Sequence, residues 1–301
     1  LMDYTKFKEM VAEHILEYLP DSYADAEVSV QTVIKNNSVH LDGLTIRDPG
    51  SNICPNIYLN QYFEQYEDGR SFDDIMSELA SVRMRSCENP FPEISDLSYL
   101  EKIKGKIHAK LVNRSRNEEY LHGKPFTPVA DLAVVYYIEM NQSEYGNASV
   151  VITDDILDIY GISVSELHAI ALTNMQGKKA QFLSMADMLK SMMPEFDDTI
   201  DQADVPMYVL TNSEKHNGAA MLLDVCTMDH IAERIGMSFY ILPSSIHETI
   251  FVPASITDSN SLDSIVEMVV EINGSQVAPE EVLSNHVYRY DYSTHTLEIA
   301  A

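Results

Sequence analysis

The chain has 301 residues, of which 45% are apolar and 22% charged, so its composition is that of a folded protein and not of a disordered one. A chain of this length forms one large domain or two ordinary ones. Its 47 acidic and 20 basic side chains give a net charge of −27, which excludes general binding to nucleic acid because the phosphate backbone would be repelled.

The first hundred residues predict a helix, a hairpin and a second helix. Apolar residues at helical spacing indicate a helix over residues 5–19, which Pro20 ends. Polar and apolar residues then alternate on both sides of Asn36 and Asn37, which is typical of a β-hairpin, and "NIYL" follows as a third strand. Another helix begins at Ser71. We predict a first domain over residues 1–94, closed by "NPFPEI", and a basic, largely helical connector over residues 95–125.

The following segment, which opens the predicted C-terminal domain (126–301), has clear start and stop signals. Buried strands are predicted at residues 132–138 and 147–153, and a short helix ends at Gly161. Ser163 and Glu166 have the spacing of a capping box, so the next helix is expected to begin at Ser163.

Residues 137–153 can be laid over residues 208–224 without gaps, although only three pairs are identical. The overlay has two interpretations. One is a ββα duplication in the C-terminal half, in which "MYVLTN" and "GAAMLLD" form a second hairpin. The other is a chance similarity between two hairpins, because repeat proteins normally show stronger identity.

Residues 238–300 predict strands at "SFYIL" and "ETIFVP", a helix at "SLDSIVEMVVEIN" and a terminal hairpin made by "HVYRYD" and "HTLEIA". Strand pairs joined by short loops outnumber crossovers. We therefore predict an α+β fold with mainly antiparallel sheets and helices packed to one side.

The acidic excess is concentrated in the second half of the sequence. Residues 1–150 contain 24 acidic and 14 basic side chains, and residues 151–301 contain 23 and 6. Two interpretations stay open. The acidic half is a surface that docks a basic partner or imitates nucleic acid, or it serves solubility alone, which is the commoner cause.

Three cysteines, Cys54, Cys87 and Cys226, lie far apart and form no C-x-x-C pair, so the sequence indicates neither a disulfide framework nor a zinc site. No apolar h-region and no uncharged apolar run of about 18 residues is present. We expect a soluble cytoplasmic protein without membrane contact.

Candidate site residues are Ser244, Ser245 and His247 in "LPSSIH". A serine hydrolase would need a strained elbow such as G-x-S-x-G, a base and a group that orients the base, and this stretch has no such elbow. We interpret the two serines as turn residues, with His247 at the start of the next strand, and keep all three as candidate binding residues with no catalytic residue assigned.

Other polar clusters carry weaker signals. The acidic run at residues 194–204 lacks the pattern of a calcium loop, so a solvated loop is expected. His230 and Glu233 share a helix face, but a second such pair is missing. No nucleotide-binding, zinc-protease or kinase motif occurs, and we predict no metal and no cofactor.

Three blocks together resemble a family of uncharacterised bacterial proteins, a domain of unknown function, over nearly the whole chain. They are "VSVQTVIKNNSVHLDGLTIR…NICPNIYL", "ASVVITDDILDIYGISVSELHAIALTNM" and "MYVLTN…GAAMLLDVCTMDHIAERIG". The C-terminal half also resembles a second uncharacterised family. The resemblance implies a bacterial protein and assigns no catalytic residue, cofactor or substrate.

Three functional hypotheses follow. The first is a non-enzymatic binding or accessory protein whose acidic surface engages a macromolecular partner, most simply a protein. The second is an enzyme of unrecognised, hydrolytic class with a site near residues 240–250. The third is a nucleic-acid mimic.

Overall fold

The computed structural model describes residues 2–49, 54–86, 94–143, 146–192, 206–243, 245–256 and 259–301. Contacts between residues group the chain into two units. Unit 1 comprises Leu1–Lys35, Val39–Tyr99 and Glu139–Ser149, and unit 2 comprises Asn36–Ser38, Leu100–Ile138 and Val150–Ala301. The predicted domain boundaries after residues 94 and 125 are not tested by this grouping and stay predictions.

Unit 1 has helices around a small antiparallel sheet. Its described helices are α1 (Tyr4–His14), α2 (Asn60–Glu67), α3 (Phe72–Ser86) and α4 (Ile94–Leu97). Its sheet has the order β1-β2-β3, with β1 (Glu27–Ile34), β2 (His40–Arg47) and β3 (Ile57–Tyr58). The hairpin predicted around Asn36 and Asn37 is confirmed, since β1 and β2 pair from Ile34 opposite His40 to Glu27 opposite Arg47.

Helix α1 shows how the sequence builds the core of unit 1. The Asp3 side chain accepts a hydrogen bond from the Lys6 amide at 2.8 Å and so caps the first turn. Phe7 and Val11 follow at a spacing of four residues and are fully buried together with Ile75 and Leu79 of α3. The predicted helix therefore exists, and its last turn is a 3₁₀ helix, Ile15–Tyr18.

A second sheet contains β4 (Ile107–Asn113), β5 (Phe126–Val129), β6 (Leu132–Ser143) and β7 (Gly146–Val151), in the order β4-β6-β5 with β7 paired to β6. The prediction of a largely helical segment over residues 95–125 is wrong at its centre, because Ile107–Asn113 is an antiparallel strand beside β6. Ile107, Ala109 and Leu111 alternate with the intervening residues, and this period of two was hidden by the surrounding lysines and arginines.

A third, six-stranded sheet has the order β13-β12-β10-β11-β9-β8. Its strands are β8 (Ala180–Ser184), β9 (Tyr208–Asn212), β10 (Phe239–Leu242), β11 (Thr249–Pro253), β12 (Tyr288–Asp291) and β13 (Thr296–Ile299). All of its pairs are antiparallel. With the helices, this confirms the predicted α+β class and the mainly antiparallel sheets.

The described helices of unit 2 are α5 (Leu100–Ile103), α6 (Glu118–Leu121), α7 (Asp154–Tyr160), α8 (Val164–Met175), α9 (Met185–Met192), α10 (Val225–Ile235) and α11 (Ser259–Ser275). The predicted start of α8 is confirmed. The Ser163 side chain accepts from the Glu166 amide, and the Glu166 carboxylate accepts from the Ser163 amide at 2.8 Å, which completes the capping box. Gly161 ends α7 in a left-handed conformation, with φ of 63°.

The overlay of residues 137–153 on residues 208–224 does not correspond to a repeated fold. The first copy contains the paired strands β6 and β7. In the second copy, "GAAMLL" is a 3₁₀ helix, Gly218–Leu223, and β9 pairs with β8 and β11. The structure therefore favours the interpretation of chance similarity over a ββα duplication.

Helix α11 covers part of one face of the six-stranded sheet. Its Val269 is buried with Leu242, Val252 and Val287 of the sheet and its continuation. Ile250 and Val252 point towards this cluster, whereas the alternate residue Phe251 packs against Phe239 at a ring distance of 5.2 Å. Phe239 and Phe251 are also fully buried, so both faces of these strands are covered.

Within the described ranges, no single helix has the length and apolar character needed to cross a membrane. One bent pair, Asp154–Tyr160 with Val164–Lys178 at an angle of 89°, reaches that length and composition only when its two helices are taken together.

Candidate functional site

The loop that follows β9, residues 213–217, is shaped by the buried Asn212 at the end of that strand. The Asn212 side-chain oxygen accepts from the amides of Glu214 at 3.0 Å and His216 at 3.3 Å, and its amide nitrogen donates to the His216 carbonyl at 2.8 Å. The Asn212 side chain therefore bonds to backbone groups of the loop, as a neighbouring strand or helical turn would do elsewhere. These bonds hold the backbone of Glu214 and His216 in place.

Two residues of this loop adopt the left-handed backbone region, Lys215 with φ of 53° and Asn217 with φ of 52°. Asparagine tolerates this region, whereas lysine adopts it at a cost. Gly218 then passes so close to its neighbours that an added Cβ atom would lie 2.3 Å from Thr211 Oγ1 and 2.4 Å from the His247 carbonyl oxygen. The loop therefore packs closely against the turn that contains His247.

His247 lies in the turn between β10 and β11 and contacts this loop directly. The Asn217 amide donates to His247 Nδ1 at 3.1 Å, and the Thr211 hydroxyl donates to the His247 carbonyl at 2.8 Å. The imidazole rings of His216 and His247 lie 5.3 Å apart. The structure therefore joins the predicted residue His247 to a second histidine, His216, in a pair of half-buried rings.

Charged groups surround this histidine pair. Burial lowers the pKa of His216, and His247, Lys178 and Lys110 lower it further, against the opposing effect of Glu214. Lys178 is buried and forms an ion pair with Glu214 at 2.6 Å. His216 is therefore held in its neutral form at pH values where an exposed histidine is already charged.

The pH dependence of stability should report this burial. An unfolded His216 takes up a proton near its ordinary pKa of 6.5, whereas folded His216 resists protonation. Its contribution to stability is therefore complete above about pH 6.5 and is lost as the pH falls below this value. We expect His216→Gln to lose less stability than the wild type between pH 7.5 and 5, measured by urea unfolding. The exposed His122→Gln serves as the control, and equal slopes in all three proteins would contradict the prediction.

Of the two predicted serines, the structure describes only Ser245. Ser245 Oγ accepts from the His247 amide at 3.0 Å, which is the turn role that the sequence indicated. Ser244 lies outside the described residues, as does the acidic run at 194–204. His247 Nε2 faces Glu281 Oε1 at 3.4 Å, and its Nδ1 is engaged by the Asn217 amide. Neither ring nitrogen of His247 is hydrogen-bonded to Ser245 Oγ, which is the contact that serine activation requires.

The site also lacks the features of a metal centre. Because a backbone amide donates to His247 Nδ1, the proton of the neutral ring is on Nε2, which therefore has no lone pair for a metal. Among the residues that the structure describes, no group of three or more His, Cys, Asp or Glu side chains could hold a metal ion.

A second polar cluster in unit 2 centres on Asp131, in the turn between β5 and β6. Its carboxylate accepts from Ser284 Oγ at 2.9 Å, from His286 Nδ1 at 2.9 Å and from the hydroxyl of the fully buried Tyr288. Burial alone would raise the pKa of Asp131, but the hydrogen bonds from Tyr288, His286 and Ser284 outweigh it and lower that pKa. The serine and the histidine both bind the carboxylate, so this arrangement ties elements together and is not a catalytic triad.

The outward side of α11 is the third candidate site. Asp263, Glu267 and Glu271 recur every four residues and are exposed, so they form one acidic stripe along the helix. Helix α11 contains no Lys, Arg or His. The stripe is bordered by apolar side chains that are exposed by 39% at Met268, 47% at Val270 and 36% at Ile272.

Three of the six cations of residues 151–301 contact other parts of the fold than α11. Lys178 pairs with Glu214, and Arg289 pairs with Asp291 at 3.0 Å. Arg234 stacks over the Phe182 ring at 5.2 Å. Within the described part of the chain, none of these cations and no other forms an ion pair with the α11 stripe.

Comparison with known proteins places the chain in a family. A family model described as "Family of unknown function (DUF5688)" matches residues 4–292. The chain belongs to this family. No curated protein and no solved structure matches it. The resemblance to a domain of unknown function over nearly the whole chain is thereby confirmed. The description of DUF5688 names no function for the family.

Sequence reasoning missed His216, Asp131 and His286. The polar stretch around "NSEKHNG" did predict a loop, but nothing local showed that His216 meets His247, which is far away in the sequence. The acids of α11 recur every four residues in the sequence, and Leu262, Ile265, Val266 and Val269 pack on its inward side. Its outward face could have been read from the same periodicity.

Proposed function

We propose that the protein is a non-enzymatic binding protein whose acidic surface in residues 151–301 engages a basic segment of another protein. The observation that carries the proposal is the set of exposed carboxylates on α7 and α11 that form no ion pair with a described residue. They are Asp154, Asp155, Asp158, Asp263, Glu267 and Glu271. An unpaired acidic surface attracts cationic partners over a distance of about 10 Å at 0.1 M salt and accelerates their association.

The contacts of Ser245 and His247 support binding over hydrolysis at these two residues. Ser245 is hydrogen-bonded to a backbone amide, and both ring nitrogens of His247 face Asn217 or Glu281. A hydrolytic serine needs a base within hydrogen-bonding distance of its hydroxyl. Ser245 and His247 therefore act best in this proposal as supports of the loop that ends at Gly218.

The negative net charge of the chain favours a cationic protein as the partner. Nucleic acid and anionic membrane surfaces would be repelled by a chain with a net charge of −27, so a cationic protein is the partner that fits. The absence of disulfide spacing fits a cytoplasmic location.

The test is a pull-down from a bacterial lysate with the tagged full-length chain as bait, washed at 50 mM and then at 500 mM NaCl. The control bait is an unrelated folded protein of matched net charge. We expect a basic protein that is retained by this chain, absent from the control and released at high salt. If both baits retain the same proteins, the acidic surface has no specific partner and the proposal fails. Competition by oligonucleotides for the retained partner would identify the surface as a nucleic-acid mimic.

A further inference from the structure

We infer that the outward face of α11 is the docking site, and that its occupant is a cationic amphipathic helix of the partner. This inference rests on the proposed function and narrows it to one surface and one class of ligand. The face is defined as Asp263, Glu267, Glu271, Met268, Val270 and Ile272.

The arrangement of these side chains on the helix is the first argument. At 100° per residue, Glu267 and Glu271 lie near the middle of the outward face, opposite the buried Val269. Met268 and Ile272 lie one turn apart along one border, and Val270 lies on the other border. The face therefore offers a central row of carboxylates, about 12 Å long from Asp263 to Glu271, between two apolar margins.

The apolar margins distinguish this face from the acidic surface of α7. On α7 the carboxylates of Asp154, Asp155 and Asp158 are accompanied by one exposed apolar residue, Ile159. On α11 three partly exposed apolar residues flank the acids, which is the pattern that receives a helix with both cationic and apolar side chains. Burial of these margins would add affinity that salt does not screen.

Charge complementarity selects the occupant. A second copy of this chain would bring another net charge of −27, so self-association through an acidic face is opposed by repulsion. An anionic lipid surface is opposed for the same reason. In a helix with a central row of lysine or arginine, the cations would face the carboxylates of α11. Large apolar residues beside that row would face the apolar margins.

The inward side of α11 holds the helix on the six-stranded sheet. Val269 is buried against Leu242 and Val252 of the sheet, and the buried Asn273 side chain donates to the Ser284 carbonyl at 3.0 Å and to Asn285 Oδ1 at 2.9 Å. Since none of these contacts involves the outward residues, substitutions on the outward face can change docking without removing the anchor.

The experiment uses the full chain and a synthetic, fluorescent 18-residue helical peptide with one row of lysines and one row of leucines. Its affinity is measured by anisotropy for the wild type and for two charge-reversed double variants. Glu267→Lys with Glu271→Lys alters the proposed face, and Asp155→Lys with Asp158→Lys is the matched control on α7. A third variant, Met268→Ser with Ile272→Ser, removes one apolar margin. Circular dichroism and melting temperature verify the fold of each variant.

The expected result is about a tenfold or greater loss of affinity for the α11 charge reversal and less than about a threefold loss for the α7 control, since each lost surface ion pair is worth a fraction of a kcal/mol and repulsion is added. The serine variant should lose affinity both at 50 mM and at 300 mM NaCl. Equal losses in the α7 and α11 variants, or no binding of the peptide to the wild type, would overturn the inference. If the partner found by pull-down is still retained by the α11 variant, this inference fails while the proposed function stands.

Discussion

Gly218→Ala will destabilise the folded chain by about 3 kcal/mol or more, because the new Cβ atom has no space. It would lie 2.3 Å from Thr211 Oγ1, 2.4 Å from the His247 carbonyl oxygen and 2.9 Å from the Asn212 amide nitrogen. Two of these atoms belong to the backbone, so a side-chain rotation cannot relieve the contact. The loop after β9 and the turn before β11 must move apart, with loss of the hydrogen bond from Thr211 to His247.

Urea unfolding of the full chain measures this effect, with Gly177→Ala as the matched control. Gly177 lies in a 3₁₀ helix, and a Cβ atom added there would meet no atom of a distant residue within 4 Å. The control should change the free energy of unfolding by less than about 1 kcal/mol. A Gly218 variant as stable as this control would mean that the two loops are not packed as described.

Asp131→Ala should have a comparable effect, about 3–5 kcal/mol, for an electrostatic reason. The carboxylate is the hydrogen-bond acceptor for Tyr288, Ser284 and His286. Tyr288 and Ser284 are fully buried, so removal of Asp131 takes the shared acceptor from two buried hydroxyl groups, which can then donate only to each other. Asp131→Asn keeps one acceptor oxygen and should cost less than the alanine substitution.

A double-mutant cycle separates the hydrogen bond from the loss of packing. Tyr288→Phe removes only the hydroxyl and should cost about 1–2 kcal/mol. If the Asp131–Tyr288 hydrogen bond is strong, the double variant will be more stable than the sum of the single losses predicts, by about 1 kcal/mol or more. Additive losses would show that the two groups are energetically independent and would refute this account of the cluster.

Elements with local signals were predictable from the sequence. The capping box at Ser163, the glycine that ends α7 and the alternation on both sides of Asn36 each depend on residues within one turn or one hairpin. In each case the residues that form the signal are close in the sequence and also contact each other in the fold. They were therefore read correctly, and the α+β class followed from them.

The errors occurred where distant contacts decide the structure. Residues 107–113 form a strand paired with β6, although they lie within the segment that was predicted as a basic, largely helical connector. "GAAMLL" is a 3₁₀ helix whose first residue, Gly218, packs against Thr211 and His247, and this contact has no local sequence signal. The meeting of His216 with His247, and of Asp131 with His286, likewise depends on chain segments that no local pattern relates.

The strand order of the six-stranded sheet has a consequence for synthesis on the ribosome. Strand β10 pairs with β12, and Phe239 stands opposite Tyr290, about 50 residues later in the chain. Until those residues emerge, one edge of β10 has exposed amides and carbonyls beside apolar side chains, which is the kind of edge that pairs with other nascent chains. Pairings this distant in sequence also form slowly. The nascent protein therefore passes through a period in which a chaperone that covers the β10 edge would increase the yield of folded chain.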